Sequence, residues 1–196
     1  VEPFTYYGAL RVQKEIDEGR SGFGLMATGV ARDLAGGAGS ETLAGILNKN
    51  AFSLAADGWL SIDKKKGWVV GGWVGATRVE GSVEDILRLQ NSSMHYFQRP
   101  DATHVEVDPE ATSLGGWAGR LSLAKQNGNL LVLAHVGAIS PGFNPNDTGF
   151  QYGASDVIQM QFLPGYQWTK PGKLFRYALV IGGWFRSYDF GGNTNV

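Results

Sequence analysis

The chain has 196 residues, with 17 Lys and Arg against 18 Asp and Glu, and no cysteine. The near-zero net charge offers no basic field to nucleic acid, and the lack of thiols excludes disulfide frameworks, thiolate metal sites and cysteine nucleophiles. Glycine at 29 residues and aromatics at 12% fit closely packed strands and tight turns, while no apolar run approaches the roughly 18 residues of a membrane-crossing helix.

The opening "VEPFTYYGAL" has neither the charged lead nor the apolar stretch of a secretory signal. We read it as a start left after signal removal, or as an internal piece of a longer chain. Phe4, Tyr6, Gly8, Leu10 and Val12 then alternate with Thr5, Tyr7, Ala9, Arg11 and Gln13, which is the two-residue period of a strand. A second strand at 21–34 is less regular, because Gly and Ala blur its faces. From 52 onward Phe52, Leu54, Ala56, Gly58, Leu60 and Ile62 alternate with Ser53, Asp57, Ser61 and Asp63, and another blurred strand follows at 68–80. The stretch "GSVEDILRLQNSS" sets Ser82 three residues before Asp85, ahead of Ile86, Leu87 and Leu89, and predicts a short surface helix. Next, Trp117, Gly119, Leu121 and Leu123 oppose Arg120 and Ser122. After a strand at 130–140, Ile158, Met160 and Phe162 oppose Gln159, Gln161 and Gln167. Finally Phe175, Tyr177, Leu179, Ile181 and Phe185 oppose Arg176 and Arg186. Eight strands are expected.

Connections alternate in length. Short turns sit at "DEGR" (17–20), "KKKG" (64–67), "KQNGN" (125–129) and "TKPGK" (169–173), and long connections at 35–49, 81–114 and 141–154. Sorting loops by length to opposite ends is the habit of transmembrane barrels, with short periplasmic turns and long outer loops. Strands of about a dozen residues exceed the usual 5–6 and match the roughly 9–11 that cross a bilayer at a tilt. Aromatic residues cluster at strand ends: Phe4, Tyr6 and Tyr7 at one, and Trp68, Tyr166, Trp168, Phe175 and Tyr177 beside the short turns. These positions suit interfacial girdles. The fold expected is all-β, an antiparallel up-and-down transmembrane barrel segment forming a single unit over 1–196. Alternation alone does not say which face meets lipid; loop asymmetry and strand length decide it.

In such a barrel Arg11, Asp57, Arg120, Gln159, Gln161, Arg176 and Arg186 face the lumen, since an arginine on the lipid side near the midplane costs about 2–4 kcal/mol. His135, inside a strand, is read as a lumen residue with hydrogen-bond partners. In the 81–114 connection His104, Glu106 and Asp108 alternate and would share one face of a strand. Secondary readings are therefore catalysis through His104 and Asp108 and cation binding by Asp101, Glu106 and Asp108. His95, Ser113 and Asp147 qualify for chemistry by composition only. The 141–149 segment is a rigid loop: Pro141, Gly142, Pro145 and Gly149 fix its backbone around Phe143, and Asn144, Asn146 and Asp147 satisfy its amides. Such a knot is able to fold inward and constrict a lumen.

The stretches "YFQRPDATHVEVDPEATSLGGWAGRLSLAKQ" (96–126), "ISPGFNPNDTGFQ" (139–151) and "TKPGKLFRYALVIGGWFRSYDFGGN" (169–193) resemble a known family, and "YYGALRVQKEIDEGRSGFGLMATGVARDL" fits it as well. The family is a large outer-membrane barrel domain of unknown function in Gram-negative bacteria, which follows a domain similar to family 9 carbohydrate-binding modules. The resemblance implies an outer-membrane location, a fragment of a larger barrel, contact with outer-membrane lipid, and binding or passage of glycans or other nutrients, with a surface lipoprotein as a further partner. It transfers no catalytic or sugar-binding residue and no cofactor to these positions. Two alternatives stand beside it: an outer-membrane glycan hydrolase with its site in the 81–114 loop or in another domain, and a soluble β-barrel or sandwich binding a small ligand.

Overall fold

The alternating segments form long antiparallel strands, each hydrogen-bonded to the next. A computed structural model describes residues 3–34, 40–151 and 153–195. Its strands are β1 (Thr5–Ile16), β2 (Ser21–Arg32), β3 (Asn50–Ser61), β4 (Trp68–Glu80), β5 (Ser113–Lys125), β6 (Leu130–Ile139), β7 (Val157–Trp168), β8 (Ala178–Ile181) and β9 (Trp184–Tyr188). The first seven follow one another as an up-and-down meander, and β8 and β9 both pair with β7. Among the described residues the sheet does not close, because β1 pairs with β2 alone. Among the described residues nine strands replace the expected eight, but the last two share one register. Ile181 opposes Gly165 and Trp184 opposes Phe162, so Gly182 and Gly183 merely interrupt a single strand beside Leu163 and Pro164. Pro164 has no N–H to offer there, although its carbonyl accepts from Gly182 N at 2.8 Å.

The expected division of connections holds. Residues 17–20, 62–67, 126–129 and 169–177 join strands at one end; 33–49, 81–112 and 140–156 join them at the other. Asn127-Gly128 supplies a tight turn with Gly128 at φ 81°, where a side chain is disfavoured. The connection after β7 is longer than "TKPGK" suggested, since pairing resumes only at Ala178.

Directly opposed residues in antiparallel strands share a face, so the register reads out both sides. One face carries Leu10, Leu25, Leu54, Val74, Leu121, Val136 and Met160. The other carries the row Gly24, Asp57, Trp73, Arg120, Gly137 and Gln159. The apolar face is not a core. Leu10 is 64% exposed, Leu54 63% and Leu121 58%. The buried core lies elsewhere. At the long-loop end of the polar face, Val30, Ala51, Val79 and Leu114 form one cross-strand row, on which Ile86, Leu89, Phe97 and Ala111 from the 81–112 connection pack.

That connection contains α2 (Val83–Gln90); a five-residue α1 (Ser40–Ala44) lies in the preceding long loop. The Ser82 signature works as expected, with its hydroxyl accepting from Asp85 N at 3.2 Å and donating to the Ala44 carbonyl at 2.8 Å. The helix is less superficial than anticipated: Asp85, Ile86 and Gln90 are buried. The reason is the apolar row beneath it.

Candidate functional site

Moving inward from the apolar row, the next row on the polar face is Thr28, Ser53, Thr77 and Gly116. Small hydroxyl side chains and a glycine leave both room and hydrogen-bonding capacity, and residues 140–149 occupy that strip. Asn144 N donates to Thr77 Oγ1 at 2.9 Å, and the Thr148 and Ser53 hydroxyls share a hydrogen bond. A Cβ on Gly116 would collide with the Phe143 nitrogen, and one on Gly142 with the Gly115 carbonyl. The loop therefore touches the sheet backbone to backbone. Its own amides are held as expected: Asn144 Oδ1 accepts from Asn146 N at 3.2 Å, and Asn146 Oδ1 from Gln151 N at 3.1 Å.

Asp147 anchors the far side of this loop, pairing with Arg32 at 2.6 Å and accepting from Asn48 Nδ2. Buried His95 anchors the near side, its Nδ1–H donating to the Pro141 carbonyl at 2.8 Å. Burial holds the His95 imidazole below its usual pKa, against an upward pull from that carbonyl, so the ring is neutral. Ser155 N bonds the Met94 carbonyl at 2.7 Å, and Ser155 Oγ bonds the Phe143 carbonyl at 2.9 Å. The "YFQRPDATHVEVDP" and "SPGFNPNDTGF" segments are thus two parts of one cap folded over the polar face. Between the cap and the sheet lies a cavity of 380 Å³ floored by Trp73, Gly75 and Ala55.

A charge cluster closes the cap against the last strand. Arg99 pairs with Asp156 and, at 3.1 Å, with Asp189; both carboxylates are buried. His104 Nε2–H donates to Asp156 at 2.9 Å, and Phe190 N donates to the same carboxylate at 3.0 Å. Asn193 adds two 2.8 Å bonds to Asp189. One atom each from His104, Asp156 and Asp189 lies within 4.8 Å of the others, a spacing compatible with a cation. The Arg99 guanidinium already supplies the positive charge between the two carboxylates, so the arrangement is an ion-pair clasp.

The candidates named from sequence redistribute. Arg11, Asp57, Arg120, Gln159 and Gln161 share the polar face. Arg11 lies over Gly24 to form a two-pronged pair with Asp57, and Arg120 Nη2 meets His135 Nδ1 at 2.8 Å. Arg186 does not join them. It opposes Met160 on the apolar face, while Phe185 opposes Gln161 on the polar one. Pairing with β7 fixes that parity, and local alternation had it inverted. Arg176 precedes β8 and lies outside any strand. Residues 101–112 form turns and irregular loop with no strand, so His104, Glu106 and Asp108 do not share a strand face. Asp108 instead exchanges backbone bonds with the Gln90 amide, at 2.7 and 3.0 Å. Asp101 sits 3.6 Å from Arg99. Among the described residues Asp101, Glu106 and Asp108 are not gathered into a ligand set, and His104 meets Asp156 rather than Asp108.

Sequence reasoning missed Asp156 and Asp189. A signal existed: they flank the start of β7 and the end of β9, and a simple hairpin brings those points together. No family model matches the chain, and neither curated proteins nor solved structures give a match.

Proposed function

We propose that the chain is a membrane-spanning part of an outer-membrane β-barrel that handles carbohydrates or other polar nutrients at the cell surface, by binding or passage. The observation that carries this reading is the continuous apolar face, exposed along strands of 10 to 13 residues from β1 to β7. Twelve residues at about 3.4 Å rise span roughly 40 Å, and a tilt near 45° brings that close to the hydrocarbon thickness of about 30 Å. Water would meet that oily face at a large free-energy cost, whereas lipid meets it at none. The polar face, with its Arg11–Asp57 and Arg120–His135 pairs, then lines a wet interior, and the cap narrows its outer end. Closure of the barrel comes from further strands on β1 and on the β8–β9 edge. The nutrient part of the proposal rests on the family resemblance and on the polar lining.

Extraction tests it. The chain is expected in the membrane fraction and to need detergent to stay in solution. A chain that is monodisperse in aqueous buffer without detergent and melts cooperatively would overturn the membrane reading.

A further inference from the structure

The ends of the sheet differ in charge as well as in loop length. The short-turn segments 14–20, 62–67, 125–129 and 169–177 hold nine Lys and Arg against four Asp and Glu. The long-loop segments 33–49, 80–112, 140–156 and 189–195 hold three against twelve. An overall charge near zero hides this polarity, and the fold sorts it to opposite rims.

On the apolar face the basic rim is interleaved with aromatic rings. Trp68 and Lys125 are directly opposed, with the ammonium 5.4 Å from the ring centroid. Tyr166 and Trp168 contact edge to face at 4.8 Å. Beside them the turn after β7 forms a cleft of 540 Å³ lined by Trp168, Lys170, Lys173, Leu174, Phe175 and Val180. Gly172 N bonds the Phe175 carbonyl at 2.8 Å, and Leu174, 87% exposed, stands out from this turn. Trp168, Ala178 and Val180 continue the apolar face, so the cleft's lining joins hydrocarbon-seeking surface to two lysines.

We propose that this cleft holds an anionic phospholipid of the bilayer, its acyl chain along Trp168 and Val180 and its phosphate between Lys170 and Lys173. The inference rests on the membrane reading above and adds a headgroup preference to it. Apolar walls alone would accept any acyl chain. Two lysines at the water boundary, each free to extend its ammonium to a headgroup, favour a negative one. The charge complementarity is local to the rim, since the opposite end is acidic.

Reconstitution separates the two claims. The detergent-purified chain is mixed with phosphatidylcholine vesicles with and without phosphatidylglycerol, and the lipid retained after re-extraction is counted by mass spectrometry. With phosphatidylglycerol at about one lipid in fifty, its ratio to phosphatidylcholine in the retained lipid should exceed that of the vesicle about thirtyfold, given the attraction expected of two lysines at a membrane surface. The Lys170→Gln/Lys173→Gln variant should lose most of that enrichment, and Lys64→Gln/Lys66→Gln, an equal charge loss at another turn, should retain it. Insertion without enrichment, or equal losses in both variants, overturns the cleft and leaves the membrane reading standing. Failure to enter either vesicle overturns both.

Discussion

Arg99 shows how much a single side chain can carry. Its guanidinium is the charge partner of two buried carboxylates, Asp156 and Asp189, which come from opposite sides of the last hairpin. Removing one partner of a buried ion pair is costlier than never having built it, because the remaining charge stays out of water. Arg99→Ala is expected to destabilise the folded chain by about 3 kcal/mol, read as a lowered denaturation midpoint. Arg99→Ala/Asp156→Asn should recover part of the loss, and an unchanged midpoint in the single variant would show that water reaches the clasp freely. His95 gives a pH signature. Its folded-state pKa lies below the ordinary 6.5, so the unfolded chain binds more protons as pH falls. Stability should therefore be full above about pH 6.5 and decline below it. Burial raises the Asp85 carboxyl, against the pull of Arg88. This acts in the opposite direction, adding stability as pH falls towards 3.8, so the His95 contribution is isolated by substitution at His95 itself. Denaturation at pH 7.5 and 5.5 should show the drop, and His95→Gln, which can still donate to the Pro141 carbonyl but does not titrate, should flatten it.

At the scale of elements, the cap is bound by absence as much as by contact. Gly116 and Gly142 let the 140–149 loop approach the sheet more closely than any side chain allows, and the hydroxyl row beside them supplies the bonds. Gly116→Ala should dislodge this loop while leaving the strands paired. Limited proteolysis is expected to cut residues 141–151 many times faster than in the parent, with the far-ultraviolet β signal unchanged; equal cutting rates would mean that the loop is held by its anchors Asp147 and His95 instead. Sequence showed the parts and concealed the fit. The proline, glycine and asparagine content of the loop predicted a rigid backbone, because turn chemistry is local. Its seat on Thr77 and Ser53 was not visible, since those residues lie 67 and 95 positions away. The Ser82 cap was legible for the converse reason, as its partner Asp85 N is three residues on.

The whole molecule is a sheet with two unpaired edges among its described residues, β1 on one side and β8 with β9 on the other. Free N–H and C=O groups along such edges invite pairing with another chain. In detergent, the 196-residue chain taken alone should elute as dimers and larger species by light scattering. Adding the strands that complete the barrel should return it to a single size, whereas a lone chain already monomeric would count against a barrel segment. The same edges account for the error at Arg186. In the interior, each strand's parity is checked by two neighbours and by the oily face they share; at the margin β9 answers to β7 alone, and its aromatic residues Trp184 and Phe185 fall on opposite faces.

From the sequence itself came the all-β class, the dozen-residue strands, the sorting of short and long connections to opposite ends, and the helix after Ser82. Each depends on a period, a turn residue or a cap within a few positions, where covalent geometry dictates the outcome. Only the tertiary structure decided that α2 buries one side, that the two loop motifs form one cap, that Arg99 joins Asp156 to Asp189, and which way β9 faces. Those features join residues tens of positions apart, and the cross-strand register that brings them together is not written in any one stretch of chain.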